Sequence, residues 1–509
     1  MVIWKKGRDK MKLSCLLDRN IQEFGEYPFL YDGDHVYTNV EIRSYAIRLA
    51  KELRTSGIGE GDRVMVMMPN SPAVVVAYQA ITMSSAIIVP VLYTLHPKEI
   101  AYIAKNCQAA MILTSSPMQE QVNQILDEMD EETEVRMIDD FAIETSLAGN
   151  EESGEGRLND DDVAVILYTS GTTGKPKGVM LTHKNMTMNA INSSKHANVE
   201  RGVTIGVLPL AHVFGLTISH ACYVTGSSIA IFPRFIPRDI FAAIEKYKVK
   251  SFSVVPAMIF AMMASSDAER FDLSSLESVS SGSAPLPVAL LHAFEEKFGA
   301  CVYEGYGLSE ASPIVTAHKK GIPIKPGSVG IPIPGVEVKI VDNNGQEVPK
   351  GVIGEIILRG EHITPGYFKN EQESKRTIVE GWLHTGDVAQ MDEEGYIYIV
   401  DRKKDLIIKN GFNIYPRDIE EVLSKHDAVI EAAVIGIPDE RTGEEVLACV
   451  VKQPNHETTE QELLDFCAGQ MAKNKLPRRI VLLSELPRNG VGKILKSSLR
   501  ESVLQQKIL

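Results

Sequence analysis

Cysteine is sparse and unpatterned in the 509-residue chain: Cys15, Cys107, Cys222, Cys301, Cys449 and Cys467 include no CxxC pair. That spacing fits neither a disulfide framework nor a zinc site, and the expectation is a reduced, cytoplasmic chain. Positive charge is also short. Lys and Arg number 53 against 67 Asp and Glu, a net charge of −14. Binding a phosphate backbone needs a basic surface, so a nucleic-acid binder is excluded. No apolar stretch follows the early Lys5, Lys6, Arg8 and Lys10, so no secretory signal is expected, and Met11 is a candidate start. No internal repeat is evident. Residues 64–97 lack Asp, Glu, Lys and Arg, yet Pro69-Asn70-Ser71-Pro72 and Pro90 interrupt them. They read as strand 63–68, helix 73–85 and strand 87–91 of an α/β unit rather than as a membrane span.

Apolar residues at 44 % and charged residues at 24 % are those of a globular protein. The length implies two or more domains. Strand-like runs (110–114, 163–168, 204–208, 228–232, 250–255) alternate with helical ones (40–55, 237–247, 287–298), which implies parallel sheets with covering helices. After Pro323 the texture changes to short Gly- and Pro-punctuated strands (335–341, 354–359, 396–400), an all-β portion. Beyond Asp401 an α+β pattern follows: helix 416–425, strands 429–437 and 445–451, helix 459–471. The fold class is therefore α/β multidomain. A large N-terminal domain (1–401) carries a β-rich subdomain (about 323–401), and a small mobile α+β domain spans 402–509. Acidic residues crowd 127–162, which reads as a solvated surface segment or loop. From Arg402 onward 17 Lys and Arg face 16 Asp and Glu, a net +1, and residues 471–509 alone are net +7. Such a basic tail is either a solvated surface or a partner for a polyanionic small molecule.

The sharpest signal follows the apolar strand 163–168: Thr169-Ser170-Gly171-Thr172-Thr173-Gly174-Lys175-Pro176-Lys177-Gly178. Three glycines let the backbone turn its N–H groups into a nest for phosphate oxygens, while hydroxyls and two lysines add donors and charge. It is not a Walker A loop, because Pro176 follows Lys175 and the next segment reads as a strand. Residues 168–178 resemble the phosphate loop of the adenylate-forming superfamily, which contains acyl-CoA synthetases, luciferases and the adenylation domains of peptide synthetases. Further motifs of that superfamily recur in order across roughly residues 20–505.

The resemblance implies roles for those motifs. Ser281-Gly282-Ser283-Ala284-Pro285-Leu286 is similar to the adenine-side loop. In Tyr303-Glu304-Gly305-Tyr306-Gly307-Leu308-Ser309-Glu310, Tyr306 is expected to stack on adenine and Ser309 to touch the α-phosphate. Ser309 stands where family members often have Thr, and keeps the hydroxyl. Glu310 is expected to bind Mg²⁺, a hard cation that takes oxygen ligands. Glu304, Gly305 and Gly307 complete the nucleotide contact. Trp382-Leu383-His384-Thr385-Gly386-Asp387 resembles the ribose motif, with Asp387 accepting from the ribose hydroxyls and Arg402 assisting.

Leu208-Pro209-Leu210-Ala211-His212-Val213-Phe214-Gly215 closes a strand and opens a helix. A lone His there is more often a capping residue than a catalytic one. The resemblance places His212, with Val213, Phe214 and Gly215, at the acid pocket beside the phosphate, and segments 254–263 and 281–286 add apolar lining. Amino-acid-activating relatives carry an aspartate after this motif to pair the substrate's ammonium. Here Val213-Phe214-Gly215-Leu216 offers no such partner, and a buried cation is costly to leave unpaired. The acid should lack an α-ammonium group, and 208–216 and 305–316 most resemble bacterial medium- and long-chain fatty-acyl-CoA synthetases.

Arg488-Asn489-Gly490-Val491-Gly492-Lys493 presents Lys493 on a glycine-flanked turn. By resemblance Lys493 is the adenylation lysine, stabilising charge that grows as carboxylate attacks the α-phosphate. Lys404 corresponds to the hinge about which the small domain rotates, and Gly411 leaves room for the pantetheine arm. The expected enzyme forms acyl-AMP and pyrophosphate, then acyl-CoA and AMP. Its partners are ATP with Mg²⁺, a carboxylic acid and CoA. A carrier-protein acceptor, as in fatty-acyl-AMP ligases, an aryl acid, a homodimer and loose peripheral membrane contact stay open at this point.

Overall fold

The computed structural model describes residues 12–129, 133–139, 158–169, 176–453, 456–488 and 494–505. Their strands form five sheets. In the seven-stranded sheet, Val163–Thr169 (β1) and Lys177–Thr182 (β2) form an antiparallel pair beside the parallel strands Ile87–Pro90, Arg63–Met67, Ala109–Thr114 and Glu134–Met137. The charge-free stretch folds as expected, into strand Arg63–Met67, helix Pro72–Met83 and strand Ile87–Pro90. Every residue of that helix is buried, so its unbroken apolarity serves a protein interior. Among the described residues no helix is long and apolar enough to cross a membrane.

Within the stretch read as a solvated surface segment or loop, Glu134–Met137 is a strand that adds in parallel to Ala109–Thr114. It is a sheet-edge strand in which Glu134 and Arg136 alternate with Val135 and Met137, so charge masked a period-2 pattern.

A smaller sheet joins Pro28–Asp32, His35–Thr38, Val203–Gly206 and Ser228–Ile231. Two helices pack against each other, and the second of them against this sheet. His183–Ala197 (α1) opens on a capping box in which Thr182 and Asn185 exchange side-chain and backbone bonds. Val213–Thr225 (α2) ends where Gly226 takes φ +69°, the left-handed cap that a Cβ disfavours. A third sheet sets Ser251–Val254 (β3), Ser278–Ser281 (β4) and Cys301–Gly307 (β5) in parallel, then continues antiparallel through Ile314–Ala317.

The segment after Pro323 forms an antiparallel sheet of Val336–Val341, Gly354–Gly360, Trp382–Met391 (β6) and Ile397–Arg402 (β7). A short helix, Glu371–Thr377, stands in this otherwise β portion. Beyond it a fifth sheet (Ile407–Lys409, Phe412–Ile414, Val429–Asp439, Gly443–Lys452, Arg479–Leu483) carries helix Pro416–Leu423 (α3) and has its own apolar clusters. The architecture is the α/β multidomain one expected from the sequence.

Candidate active site

The phosphate-loop motif falls where β1 turns into β2. The register pairs Tyr168 with Gly178 and Thr169 with Lys177. Ser170, Gly171, Thr172, Thr173, Gly174 and Lys175 lie outside the described residues, as does Lys493. The two strands nevertheless fix where the chain leaves β1 and enters β2, and Thr169, Pro176 and Lys177 line a cavity of about 1990 Å³. Lys177 is committed elsewhere, its ammonium 2.6 Å from Glu373. A Cβ on Gly178 would stand 2.8 Å from the Ile166 side chain, so close strand packing requires glycine there.

The other nucleotide motifs lie on the same cavity. The ends of β4 and β5 bring Ser283, Ala284 and Pro285 beside Glu304, Gly305, Tyr306, Gly307 and Ser309. Gly307 has no alternative: a Cβ would meet the Pro313 carbonyl at 2.2 Å. The Tyr306 hydroxyl donates to Asp387 at 2.6 Å, and Arg402 Nε stands 3.2 Å from the other carboxylate oxygen. Asp387 and Arg402 are register partners on β6 and β7, so backbone pairing alone brings them together. Burial, and then the Asp387 charge, push the Tyr306 phenol well above its ordinary range. Thr385 Oγ1 accepts from the Asp387 amide at 3.0 Å and donates to the Ile356 carbonyl at 2.7 Å, which fixes the turn.

Glu310 accepts from the Tyr367 hydroxyl at 2.8 Å. Three elements hold its loop: Asn189 of α1 donates to the Ala311 and Ile314 carbonyls, Thr217 of α2 donates to the Ser312 carbonyl, and the Thr364 amide donates to the Glu310 carbonyl. Sequence reasoning missed Tyr367, Asn189 and Thr217. Tyr367 lies 57 residues from its partner, and only its position beside Gly366 in a short strand could have hinted at a site role.

His212 is the N-cap of α2, its Nδ1 accepting from the Phe214 amide at 3.3 Å. It therefore does the capping work expected of a histidine at such a boundary, while also lining the cavity. Phe214 reaches across to Gly282, whose Cβ would lie 3.4 Å from the ring. Val213 lines the cavity but is 2 % exposed and belongs to the core. Gly215 packs against backbone, since a Cβ there would meet the Pro209 carbonyl at 2.2 Å.

Thus the ends of β1 and β2, a tyrosine–aspartate–arginine cluster, the Glu310 carboxylate and an apolar helix share one cavity. The AMP-binding enzyme family matches residues 17–368, and the AMP-binding enzyme C-terminal domain matches 418–493. The chain belongs to this AMP-binding enzyme family. It is 35 % identical over 500 residues to a long-chain-fatty-acid–CoA ligase of Bacillus subtilis (strain 168), covering 91 % of this chain and 89 % of that one. It is 34 % identical over 503 residues to 4-coumarate:CoA ligase 1 of Petunia hybrida, covering 94 % and 92 %. Among solved structures, ATP-bound MatB from Rhodopseudomonas palustris matches with a TM-score of 0.88 at 28 % identity, covering 96 % and 98 %.

In this AMP-binding enzyme, the C-terminal lobe meets the cavity through the segment after β7. The Arg417 amide of α3 donates to Asp401 at 3.0 Å, and Lys496 pairs with Glu420 at 2.7 Å. Lys404 lies on the cavity wall with Arg402 and Lys403. Gly411, at φ +76°, follows Asn410 at φ +52° and completes a two-residue turn between Ile407–Lys409 and Phe412–Ile414. That hairpin leaves Ile408 and Phe412 52 % and 61 % exposed.

Glu304 carries an unusual proton affinity. It is 5 % exposed, and its Oε2 has no hydrogen-bond partner. Burial raises its pKa from 4.5 to about 7, against the opposing pull of Arg417 and the Leu286 and Gly327 amides. Between those values the folded chain holds a proton that the unfolded chain releases, so stability falls as pH rises through that window. Glu304→Gln is expected to be more stable than wild type at pH 8, by on the order of 1–3 kcal/mol. At pH 5 the two should nearly coincide. Calorimetry of the nucleotide-free protein at both pH values checks this.

Proposed function

We propose that the chain is an ATP-dependent acid–CoA ligase acting on a medium- or long-chain fatty acid. A carboxylate oxygen attacks the α-phosphorus of ATP and pyrophosphate leaves, giving acyl-AMP. The CoA thiolate then attacks the acyl carbon and AMP leaves. Asp387 is suited to read the ribose, being an acceptor-only group held by Thr385. In that role its ribose bonds would replace or share the bond with Tyr306. His212 and Phe214, both on the cavity wall, are assigned to the acid, and Lys493 to the charge that develops in the first step.

Mg²⁺ suits the donor set. Glu310 is one half-buried carboxylate with an oxygen engaged by Tyr367, and among the described residues no three His, Cys, Asp or Glu form a cage. A cation that keeps its waters and shares phosphate oxygens needs no more. When bound it supplies neutralisation of phosphate charge.

One observation carries the fatty-acid reading. The cavity continues past His212 along α2, where Phe214, Ile218, Ala221 and Thr225 form the half-buried stripe of an otherwise buried helix. Their spacing puts them on one face, and His212-Val213-Phe214-Gly215-Leu216 offers no carboxylate for an α-ammonium group. The test is a panel of acids from acetate to oleate, with benzoates, assayed by pyrophosphate release and by thioester formation. Octanoate to oleate are expected to exceed acetate in kcat/KM by about 10-fold or more, since each buried methylene adds binding. Turnover confined to benzoates would overturn the fatty-acid assignment. Acyl-adenylate that accumulates in excess CoA would point to a carrier-protein acceptor.

A further inference from the structure

We infer that the acid activated here carries hydroxyl or oxo groups along its chain, recognised by a ladder of hydroxyls on β3, β4 and β5. The inference rests on the acid–CoA ligase reading above. Strand register makes the ladder. Ser251 pairs with Ser278 and Ser278 with Cys301; Ser253 pairs with Ser280 and Ser280 with Tyr303. Side chains alternate along a strand. Phe252, Val279 and Val302 are buried in the apolar cluster beneath, so the two rows face the other way, and all six residues line the cavity. Among the described residues none of the five hydroxyls has a hydrogen-bond partner, although Thr204 bonds the Ser251 backbone carbonyl.

The α2 face of the same cavity is different in kind. The α2 stripe is apolar, and its one hydroxyl, on Thr225, is spent on the Ala221 carbonyl at 2.9 Å. A second observation comes from α1. Ser194 is 7 % exposed, lines the same cavity, and its hydroxyl has no partner. The cavity thus carries an oily stripe and a set of hydroxyls without protein partners, of which Ser251 and Ser280 are exposed and the rest half-buried or buried.

A saturated chain lying here would strip water from those hydroxyls and return nothing, and a polar group desolvated without a partner costs free energy. A chain with its own oxygens restores the bonds while its carbon edge lies on α2. The nearer row stands two residues before Gly282 and Gly305, roughly 6.6 Å from the nucleotide side, and the second row roughly 6.6 Å farther. The recognised oxygens therefore sit mid-chain, away from the carboxylate.

The experiment compares dodecanoate with 3-, 7- and 12-hydroxydodecanoate in wild type, in Tyr303→Phe, and in the combined Ser253→Ala, Ser278→Ala, Ser280→Ala variant. The readout is the ratio of kcat/KM, hydroxylated over plain. Wild type is expected to favour 7-hydroxydodecanoate by about 10-fold, as a site built for a hydroxyl disfavours the analogue lacking it. The ratio should fall toward one in the triple variant and partly in Tyr303→Phe, whose ring keeps the packing. Ratios near one in wild type, unchanged by either substitution, would overturn the inference and make the ladder a water-bearing wall. Failure of the fatty-acid reading looks different: only aryl acids turn over, and hydroxylated against plain cinnamates then give the same ratio test. With no pyrophosphate from any acid, both readings fall.

Discussion

Lys493→Ala is expected to lower acid-dependent pyrophosphate release by about 10²–10³-fold, the loss that follows removal of one preorganised donor to developing charge. Thioester formation from supplied acyl-adenylate should survive within a few-fold. Two anionic groups approach in the first half-reaction, so a fixed ammonium lowers that barrier preferentially. The second half-reaction attacks a carbonyl already activated by AMP and has no such need. On either side of 489–493, Arg488 and Ile494 pair as an antiparallel bridge, and both line the cavity with Leu495 and Lys496. Separate assays of the two half-reactions decide the matter. Equal loss in both would contradict a lysine used for one step only.

Asp387→Ala is expected to raise the KM for ATP by about 10–100-fold, the range for charge-assisted hydrogen bonds lost from a site. The KM for the acid should move by less than about 3-fold, since the Asp387 cluster includes none of the residues assigned to the acid. Two structural costs accompany the substitution. Tyr306, a phenol far from ionising, loses its acceptor at 2.6 Å, and Arg402 loses its ion partner at 3.2 Å. Arg402 keeps 42 % of its side chain exposed, so water screens its part of the loss. Asp387→Asn, which keeps one acceptor oxygen, should fall between. Steady-state kinetics with each substrate varied in turn checks the split, and parallel rises in both KM values would contradict it.

Much of this arrangement was legible where local chemistry and tertiary structure agree. The strand before the glycine turn, the strand after it and helix Pro237–Tyr247 announce themselves by apolar runs and by proline at the first helical position. What stayed hidden depends on long-range burial. Helix α1 is rich in Asn, Ser, Thr and His, a composition that suits a surface, yet Asn185, Asn189 and Asn192 are buried. Asn185 and Asn189 bond the carbonyls of Glu361, Ile363, Ala311 and Ile314, partners far along the chain. Buried amides can be read as core only once those carbonyls are known. The hydroxyl ladder was invisible for a related reason. Serines in three separate strands look unremarkable until register sets them side by side.

The turn at Asn410-Gly411 holds Ile408 and Phe412 out in water. Full burial of either side chain is worth about 1.5–3 kcal/mol, so any contact that dries the pair acts as a thermodynamic sink for the lobe that bears them. The gain from such a contact should grow in kosmotropic salts, which strengthen apolar burial.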